Sequence, residues 1–398
     1  MQTQKLSAKA SGLIWFGAAV SVTEIMTGTL FAPLGWSQGL AAIFIGHLIG
    51  CLLFYCAGLI GAQTGRSAMQ TVQLSFGKNG SLLFSAANIL QLVGWTAIMI
   101  FTGAQIASAL TQHLWGNGSE PVWNIIIGGL IILWLITGVR HFSRMQTLML
   151  GALFITTLWL SGQVFSGSQT ITAPANHENM AFGLAVELSA IMPLSWLPLV
   201  SDYTRHAESP RKTTLAATLA YFLTSSWMYA LGLAAALFTS QTDIAQILLH
   251  SGLGIAGILI VVLSTVTTTF LDAYSAGVSA NTLHPRFKEN TVAIIITIIG
   301  TILAATLPVD RFENFLLFIG SVFSPMIAIQ IADYFVLKRR AQSHTDWLNL
   351  SLWLAGFLLY RALLNWPTPL GSTLPVMVAT FLLTIAIRKA LAIQTANA

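Results

Sequence analysis

Residues 11–35 read SGLIWFGAAVSVTEIMTGTLFAPLG, and residues 180–201 read MAFGLAVELSAIMPLSWLPLVS. Each stretch is long and apolar enough to cross a membrane, because a spanning helix needs about 20 mostly apolar residues. Each is also interrupted by an acid and by helix-breaking residues, namely Glu24, Gly28 and Pro33 in the first and Glu187, Pro193 and Pro198 in the second. The predicted fold follows from these two interrupted stretches.

The composition is that of a polytopic membrane protein. Of the 398 residues, 55% are hydrophobic and only 8% are charged, against about 25% in soluble domains, and the mean hydropathy is +0.75. The two cysteines, Cys51 and Cys56, lie in one apolar run, which excludes a disulfide framework and a Cys-ligated zinc site. The basic residues are scattered between apolar runs, so no nucleic-acid partner is expected despite a pI near 9.4.

Twelve apolar stretches qualify as membrane spans. They are residues 11–35, 36–61, 80–111, 121–139, 144–165, 180–201, 213–238, 253–280, 291–307, 313–337, 347–365 and 371–393. With the N-terminus inside, all of the 18 Lys and Arg residues except Arg311 and Arg361 fall on the cytoplasmic side. This distribution predicts an even number of spans in a bacterial-type cytoplasmic (inner) membrane, with both termini cytoplasmic.

The two interrupted spans lie five spans apart, which is typical of inverted-repeat transporters with a binding site at the membrane midplane. The predicted organisation is a cytoplasmic tail 1–10, a first repeat 11–165, a second repeat 180–337, a peripheral pair of spans 347–393 and a cytoplasmic tail 394–398. The alternative is that these prolines make ordinary kinks, which are common in membrane helices.

Three acids lie deep inside predicted spans: Glu24, Glu187 and Asp272. An acid at the centre of a membrane helix costs about 2.5–3.5 kcal/mol on insertion scales, so each of these acids requires a role. The functional interpretation is a polar cavity that contacts substrate or ion. The alternative is a structural acid, protonated or hydrogen-bonded to a neighbouring helix.

Other polar and aromatic residues inside the spans are likewise candidates either for a binding cavity or for structural contacts between helices. Trp95 and Trp196 lie mid-span, where a flat heteroaromatic substrate would stack on them, and Gln91 lines the cavity or joins helices. The run STVTTT at 264–269 offers hydroxyl ligands for an alkali cation, unless the hydroxyls bond to their own helix backbone. His47 relays protons or bonds to a carbonyl.

Three ordered stretches carry a family resemblance. Residues 65–81 read GRSAMQTVQLSFGKNGS, residues 195–205 read SWLPLVSDYTR, and residues 321–339 read SVFSPMIAIQIADYFVLKR. They resemble the SFG-x-x-GS loop, the SW…DY-x-R segment and the P…DYF terminus of the nucleobase–cation symporter family of cytosine, purine, uracil, allantoin and hydantoin permeases. The resemblance covers spans 1–10. Within the family the chain looks closest to the CytX-type branch, thought to carry hydroxymethylpyrimidine, a thiamine precursor.

The resemblance implies an all-α LeuT-type fold of 5+5 inverted repeats with broken helices 1 and 6, substrate between spans 1, 3, 6, 8 and 10, and sodium between spans 1 and 8. The predicted substrate-binding residues are Glu24, Gln91, Trp95, Glu187, Trp196 and Asp272. The predicted ion-binding residues are Ser21, Glu24, Thr267 and Thr268, of which the two threonines match the family's sodium hydroxyls. No cofactor is expected besides the coupling ion, and a monomer is expected in the bilayer.

The three buried acids stand where cytosine and hydantoin carriers mostly have neutral groups. A carboxylate is a strong acceptor for an exocyclic amine, which suits a 4-aminopyrimidine and argues against uracil. The predicted function is therefore import of a small pyrimidine, hydroxymethylpyrimidine first, by cation symport and alternating access. A cytosine or purine permease is the alternative within the family. Sodium is favoured as the coupled cation, and a proton stays open because of the acids and His47.

Functions of other classes are disfavoured. Residues 35–39 read GWSQG and match the G-x-S-x-G motif of hydrolases at Ser37, but the motif requires a strand–turn–helix context that this chain lacks. No H-E-x-x-H motif and no P-loop occurs in the sequence, which disfavours a metalloprotease or an ATP-driven pump. A channel would not require paired broken helices. The chain is therefore not expected to be an enzyme.

Overall fold

The computed structural model describes residues 5–137, 142–166, 180–239, 243–250, 252, 254–306, 312–366 and 368–397, and these are almost entirely helical. The helices are α1 (Ala8–Ala19), α2 (Val22–Thr29), α3 (Gly35–Thr64), α4 (Ala68–Trp115), α5 (Glu120–Thr137), α6 (Phe142–Ser166), α7 (Phe182–Ser195), α8 (Leu197–Thr204), α9 (Pro210–Thr239), α10 (Ile244–His250), α11 (Gly254–Leu283), α12 (Glu289–Thr306), α13 (Phe312–Ile331), α14 (Trp347–Leu363) and α15 (Thr373–Asn397). A 3₁₀ turn, Ala32–Leu34, precedes α3, and a π-helical turn, Ala332–Leu337, continues α13.

Each of the twelve predicted spans coincides with one helix or with a pair of helices. Among the described residues, 9 helical runs are long and apolar enough to cross a membrane, and the pair α1–α2, bent by 52°, makes a tenth. The other two predicted spans correspond to shorter apolar stretches, Phe154–Phe165 of α6 and Trp347–Leu363. The short helix α10 lies between the seventh and eighth spans and was not predicted.

The stretch 65–81 was expected to be a loop, and the structure corrects this. The helix α4 begins at Ala68, where the Gln70 side chain accepts a hydrogen bond from the Ser67 amide at 3.1 Å, one half of a capping box. At Gly77 the backbone turns, with φ 76° and ψ 173°, a conformation that glycine adopts without the steric cost of a side chain. The capping box is the sequence signal for this helix start, and Gly77 separates a short first segment from the spanning part of α4.

The two halves of the chain pack in the same way. The pair α1–α2 packs against α9, and the corresponding pair α7–α8 packs against α3. Corresponding helices of the two halves also contact each other, α4 with α11 and α5 with α12. The contact of α4 with α12 is matched by that of α11 with α5. This exchange symmetry is the expected product of a five-plus-five inverted repeat, so the predicted fold class is confirmed. The exact repeat boundaries, 11–165 and 180–337, stay predictions.

Glycines bring the helix backbones together at the corresponding interfaces of the two halves, between α2 and α9 and between α3 and α7. A Cβ added at Gly28 of α2 would lie 2.2 Å from the Tyr229 carbonyl oxygen of α9. A Cβ added at Gly46 of α3 would lie 2.5 Å from the Val186 carbonyl oxygen of α7. In a membrane, where no water drives helices together, such small residues allow the close van der Waals packing that holds them.

Several described segments that carry basic residues contact one another at the ends of helices. The Leu6 amide donates to the His206 carbonyl at 2.7 Å, so the first described residues meet the turn after α8. Near the end of α15, Arg388 pairs with Asp346 before α14, and the same segment contacts the turn at Gly77. Because Asp202 at the end of α8 accepts from the Ala68 amide at 2.8 Å, these contacts place both ends of the described chain near the start of α4.

The close packing of α2 on α9 predicts the effect of Gly232→Ala, because the added Cβ would lie 2.0 Å from the Ile25 carbonyl oxygen. We expect a loss of about 1–3 kcal/mol of stability from overpacking, measured as a lower midpoint of thermal unfolding in detergent. Gly129→Ala is the matched control, because a Cβ at that exposed position meets nothing within 4 Å. Equal midpoints for the two variants would contradict the packing.

Candidate substrate-binding site

A cavity lies where the interruptions of the first and sixth spans face α4 and α11. About 350 Å³ of space free of protein atoms lies within it, including its opening. Its lining comes from all four segments: Ala18, Ser21, Thr23, Glu24, Trp95, Met99, Met192, Ser195, Trp196, Thr268 and Asp272. Six of the nine residues predicted to bind substrate or ion are among them: Ser21, Glu24, Trp95, Trp196, Thr268 and Asp272.

Asp272 of α11 is the acid whose carboxylate is directed at the cavity. It is 4% exposed, and no described residue donates a hydrogen bond to its carboxylate. A buried carboxylate without a donor is costly, and a ligand that supplies N–H groups would satisfy it. Asp272 is therefore the strongest candidate for direct contact with substrate.

Two indole rings form apolar walls of the cavity. Trp95 lies on α4 and packs edge-on against Phe315, with ring centroids 5.6 Å apart. Trp196 lies at the junction of α7 and α8, where its indole N–H donates to the Tyr221 hydroxyl at 2.9 Å. Trp15 meets the Trp196 ring edge-on at 5.3 Å. The Trp196 ring is thus held in one orientation, as a wall for a flat aromatic ligand requires.

Glu24 lines the cavity but is already engaged by α9. Its Oε1 accepts a hydrogen bond from the Tyr221 hydroxyl at 2.8 Å, and its Oε2 accepts one from the Ser225 hydroxyl at 2.6 Å. Glu24 therefore joins the broken first span to α9 and has fewer free acceptor positions for substrate or ion than Asp272. Tyr221 and Ser225, one turn apart on α9, were missed from the sequence because neither stands out from its apolar surroundings.

Some of the predicted ion ligands line the cavity, whereas another is hydrogen-bonded to the backbone of its own helix. Ser21 lines the cavity and caps α2 by accepting from the Thr23 amide at 3.2 Å. Thr268 also lines the cavity, and its hydroxyl has no partner among the described residues. Thr267 instead donates to the carbonyl of Leu263 at 2.9 Å. Its hydroxyl is bonded to its own helix, as the alternative interpretation proposed.

Gln91 and Glu187 do not line the cavity. The Gln91 amide donates to the Ser195 carbonyl at 3.0 Å and so holds α4 against the sixth span. The Glu187 carboxylate accepts hydrogen bonds from the Tyr360 hydroxyl, the Thr373 hydroxyl and the Thr373 amide. It joins α7 to α14 and α15. The structural alternative therefore describes Glu187 better than the predicted contact with substrate.

Five lining residues were not predicted from the sequence: Ala18, Thr23, Met99, Met192 and Ser195. Met99 lies four residues after Trp95, on the same helix face, and its sulfur accepts a hydrogen bond from the Thr23 hydroxyl at 2.9 Å. The spacing from Trp95 is the signal that points to Met99. Methionine and serine in apolar spans are otherwise indistinguishable from core residues.

The aspartates of the family motifs stabilise the face that carries the basic residues. Asp202 accepts from the Ala68 amide at 2.8 Å and so caps α4. Asp333 accepts from the Asn349 amide side chain at 2.7 Å and lies 3.4 Å from Arg339. These residues join helices at their ends and do not line the cavity.

The hydrolase interpretation of Ser37 is wrong. Ser37 is exposed in the first turn of α3, and His47 lies ten residues further along the same helix, about 15 Å away at 1.5 Å per residue. The ring nitrogens of His47 are hydrogen-bonded to Ser189 and Ser225 instead. No nucleophile and base are brought together at this motif.

An inverted-repeat helical bundle with a cavity at two interrupted spans defines a membrane transporter of the LeuT-type class. Comparison with known proteins gives the family. A profile described as permease for cytosine/purines, uracil, thiamine, allantoin matches residues 4–387. The chain belongs to this nucleobase–cation symporter family, which consists of permeases and not enzymes.

Individual relatives agree with this assignment. The chain is 26% identical over 333 residues to cytosine permease of Escherichia coli (strain K12), covering 83% of this chain and 77% of the relative. It is 28% identical over 357 residues to the putative purine-cytosine permease YxlA of Bacillus subtilis (strain 168), covering 82% and 75%. Mhp1, a nucleobase-cation-symport-1 family transporter solved in a closed conformation with bromovinylhydantoin bound, superposes with a TM-score of 0.82 at 18% identity, covering 98% and 94%. Membership of the CytX-type branch stays a prediction.

The cavity predicts the positions at which a cysteine introduced in place of serine reacts with a thiol reagent. In a background with Cys51 and Cys56 replaced by alanine, we expect Ser195→Cys to react with a membrane-permeant methanethiosulfonate reagent, because Ser195 lines the cavity. Ser189→Cys is the control, because that position is 0% exposed and packs between helices. Equal labelling of the two variants, measured by mass spectrometry, would contradict the cavity.

Proposed function

We propose that this permease imports a 4-aminopyrimidine, with hydroxymethylpyrimidine as the expected substrate, by sodium-coupled symport and alternating access. The observation that carries the proposal is the Asp272 carboxylate, which faces an indole-walled cavity without a hydrogen-bond donor from the described protein. An exocyclic amine donates to a carboxylate in a charge-assisted hydrogen bond. The pyrimidine ring packs against Trp95 and Trp196.

The chemistry of the cavity distinguishes between pyrimidines, because the carboxylate of Asp272 lines it. The uracil edge presents an N–H between two carbonyl acceptors, and those carbonyls would face the carboxylate of Asp272 with no proton between them. The site therefore favours an amine-bearing pyrimidine over uracil.

Sodium is the proposed coupled cation, with Ser21 and Thr268 as side-chain ligands. Both line the cavity at the junction of the broken first span and α11, and alkali cations are bound through oxygen ligands of this kind. Glu24 and Thr267, also predicted as ion ligands, have their oxygens hydrogen-bonded elsewhere. Backbone carbonyls of the broken span complete such sites in related architectures.

The proposed location is the bacterial cytoplasmic membrane, with both termini inside. The loops expected inside carry 16 of the 18 Lys and Arg residues, and positive residues mark the cytoplasmic side. We propose that the protein acts as a monomer, since the cavity is formed within one chain.

Cytosine or a purine is the second candidate substrate. Cytosine carries the same 4-amino group, and the relatives described as cytosine permease and putative purine-cytosine permease favour it. Uptake of labelled hydroxymethylpyrimidine into proteoliposomes, with excess unlabelled cytosine or adenine as competitor, distinguishes the candidates. Strong competition by cytosine would move the assignment to cytosine. The absence of any uptake or exchange of these compounds by folded protein would overturn the proposed function.

Asp272→Asn tests the role of the carboxylate. Hydrogen bonds to charged groups contribute about 1.5–3 kcal/mol and neutral ones about 0.5–1.5 kcal/mol. The change therefore removes about 1–1.5 kcal/mol, and we expect roughly 5- to 12-fold weaker binding of the aminopyrimidine. The measurement is competition binding to purified protein. Glu187→Gln is the matched control, a buried acid outside the cavity whose loss lowers stability without changing the affinity of folded protein. Unchanged aminopyrimidine preference in Asp272→Asn would count against the proposal.

Two adjacent threonines give a matched test of the sodium site. We expect Thr268→Val to raise the sodium concentration required for half-maximal uptake, because its hydroxyl is free to bind the ion. Thr267→Val should leave this concentration unchanged, because its hydroxyl bonds to its own helix. Sodium titration of uptake in proteoliposomes measures both. A larger effect at Thr267, or none at either position, contradicts the assigned ligands.

A further inference from the structure

The longest run of basic residues in the sequence is the triplet 338–340, and adjacent pairs of basic residues occur at 211–212 and 388–389. The triplet follows the π-helical turn after α13, and the second pair lies near the end of α15. The structure brings the triplet and the second pair together at one end of the bundle. This meeting joins segments that are separated in the chain by two whole helices.

Asp346, the residue before α14, holds the two basic segments together. It is buried, and one of its carboxylate oxygens pairs with Arg339 while the other pairs with Arg388. Arg339 also lies 3.4 Å from the carboxylate of Asp333, and Arg388 donates to the side-chain oxygen of Asn349 at 2.8 Å. This network fixes the neighbouring ends of α13, α14 and α15 relative to one another.

The turn at Gly77 of α4 adds a further basic residue to the same end of the bundle. The Asn79 amide donates to the His344 carbonyl at 2.8 Å, so Lys78 lies beside the segment that leads from the triplet to α14. The side chain of Lys78 is exposed. Three separate segments therefore contribute positive charge at this place.

Four of these basic residues are exposed and form no ion pair within the described ranges. They are called the basic patch here: Lys78, Lys338, Arg340 and Lys389. Asp333 and Asp346 are already paired with Arg339 and Arg388, so they do not neutralise the patch. Like charges held close together repel one another. A negatively charged group bound at the patch would offset this repulsion.

The lipid-facing sides of α14 and α15 lie next to the basic patch. Trp347, the first residue of α14, is 74% exposed, and Leu354 and Leu383 are exposed on the two helices, which pack against each other. An exposed indole at a helix end is typical of the boundary between lipid headgroups and hydrocarbon. A ligand with an anionic headgroup and acyl chains would contact the patch and this apolar surface together, whereas a free phosphate would contact the patch alone.

We propose that the basic patch binds the phosphate headgroup of an anionic phospholipid of the surrounding membrane, with the acyl chains lying along α14 and α15. Ammonium and guanidinium groups bind phosphate oxygens through charge-assisted hydrogen bonds, and basic residues beside the cytoplasmic ends of spans attract anionic lipids. The bound headgroup offsets the repulsion within the patch and joins the segment after α13 to the end of α15. The proposal is independent of which compound the protein transports.

Native mass spectrometry of the purified full-length protein tests this site. The protein is titrated with phosphatidylglycerol and, separately, with phosphatidylcholine that has the same acyl chains, and wild type should bind one phosphatidylglycerol in preference. The variant Lys338→Gln/Arg340→Gln/Lys389→Gln should bind it roughly 100-fold more weakly, because each basic residue near anionic lipid strengthens binding about 5-fold. Equal affinity of wild type for the two lipids would overturn the proposal.

The matched control removes the same charge from other loops. The variant Arg211→Gln/Lys212→Gln/Lys288→Gln replaces one arginine and two lysines that are exposed and lie outside the patch, and they include the other adjacent basic pair. Its affinity for phosphatidylglycerol should equal that of wild type. Equal weakening in the two triple variants would show attraction to net positive charge in general, which would overturn a defined site.

Two further measurements distinguish a lipid site from a site for any anion and from a loss of folding. Inorganic phosphate in tenfold excess over phosphatidylglycerol, at constant ionic strength, should leave the lipid bound, and its complete displacement would overturn the lipid as the ligand. The midpoint of thermal unfolding should rise with phosphatidylglycerol in wild type and in the control, and should not rise in the patch variant. The single variant Arg340→Gln should weaken binding about 5-fold, and unchanged binding in it and in the patch variant would overturn the site.

Discussion

The first span departs from helical geometry between Ala19 and Val22, inside a medium that offers no water to its backbone groups. Such a break is tolerated only where protein or a polar cavity supplies partners. Ser21 caps the second half of the span, and α9 holds Glu24 at both carboxylate oxygens. The cavity, its lining acids and the bend of 52° all depend on this supported interruption.

The three acids of the spans illustrate how one residue type takes different roles. Glu24 is bonded to α9, Glu187 is bonded to α14 and α15, and Asp272 has no donor among the described residues. The insertion cost is similar for each, so the helices packed around each acid decide what offsets it. Where protein donors offset it, the acid joins helices. Where they do not, the acid is available to accept a hydrogen bond from a ligand, and this distinction singles out Asp272.

Residues that are neighbours in the chain also take different roles, according to the partners that each side chain meets. Thr267 and Thr268 differ by about 100° around a helix of 3.6 residues per turn. One hydroxyl bonds to its own backbone and the other lines the cavity. The hydrogen bonds of Ser225 with Glu24 and His47 join spans that are far apart in sequence. Neither arrangement can be read from a single stretch, because both depend on how whole helices are rotated and packed against one another.

The sequence by itself determined the membrane class, the spans, the two interrupted helices and the family, because hydropathy, basic-residue asymmetry and local motifs are properties of short stretches. It also placed six of the nine predicted binding residues in the cavity, since mid-span acids and indoles are conspicuous. Only the tertiary structure decided that Glu187 and Gln91 join helices, and that Tyr221, Ser225 and Met99 belong to the site or support it. The reason is physical: a buried polar side chain takes its role from the partner it meets, and that partner is supplied by helices from distant parts of the chain.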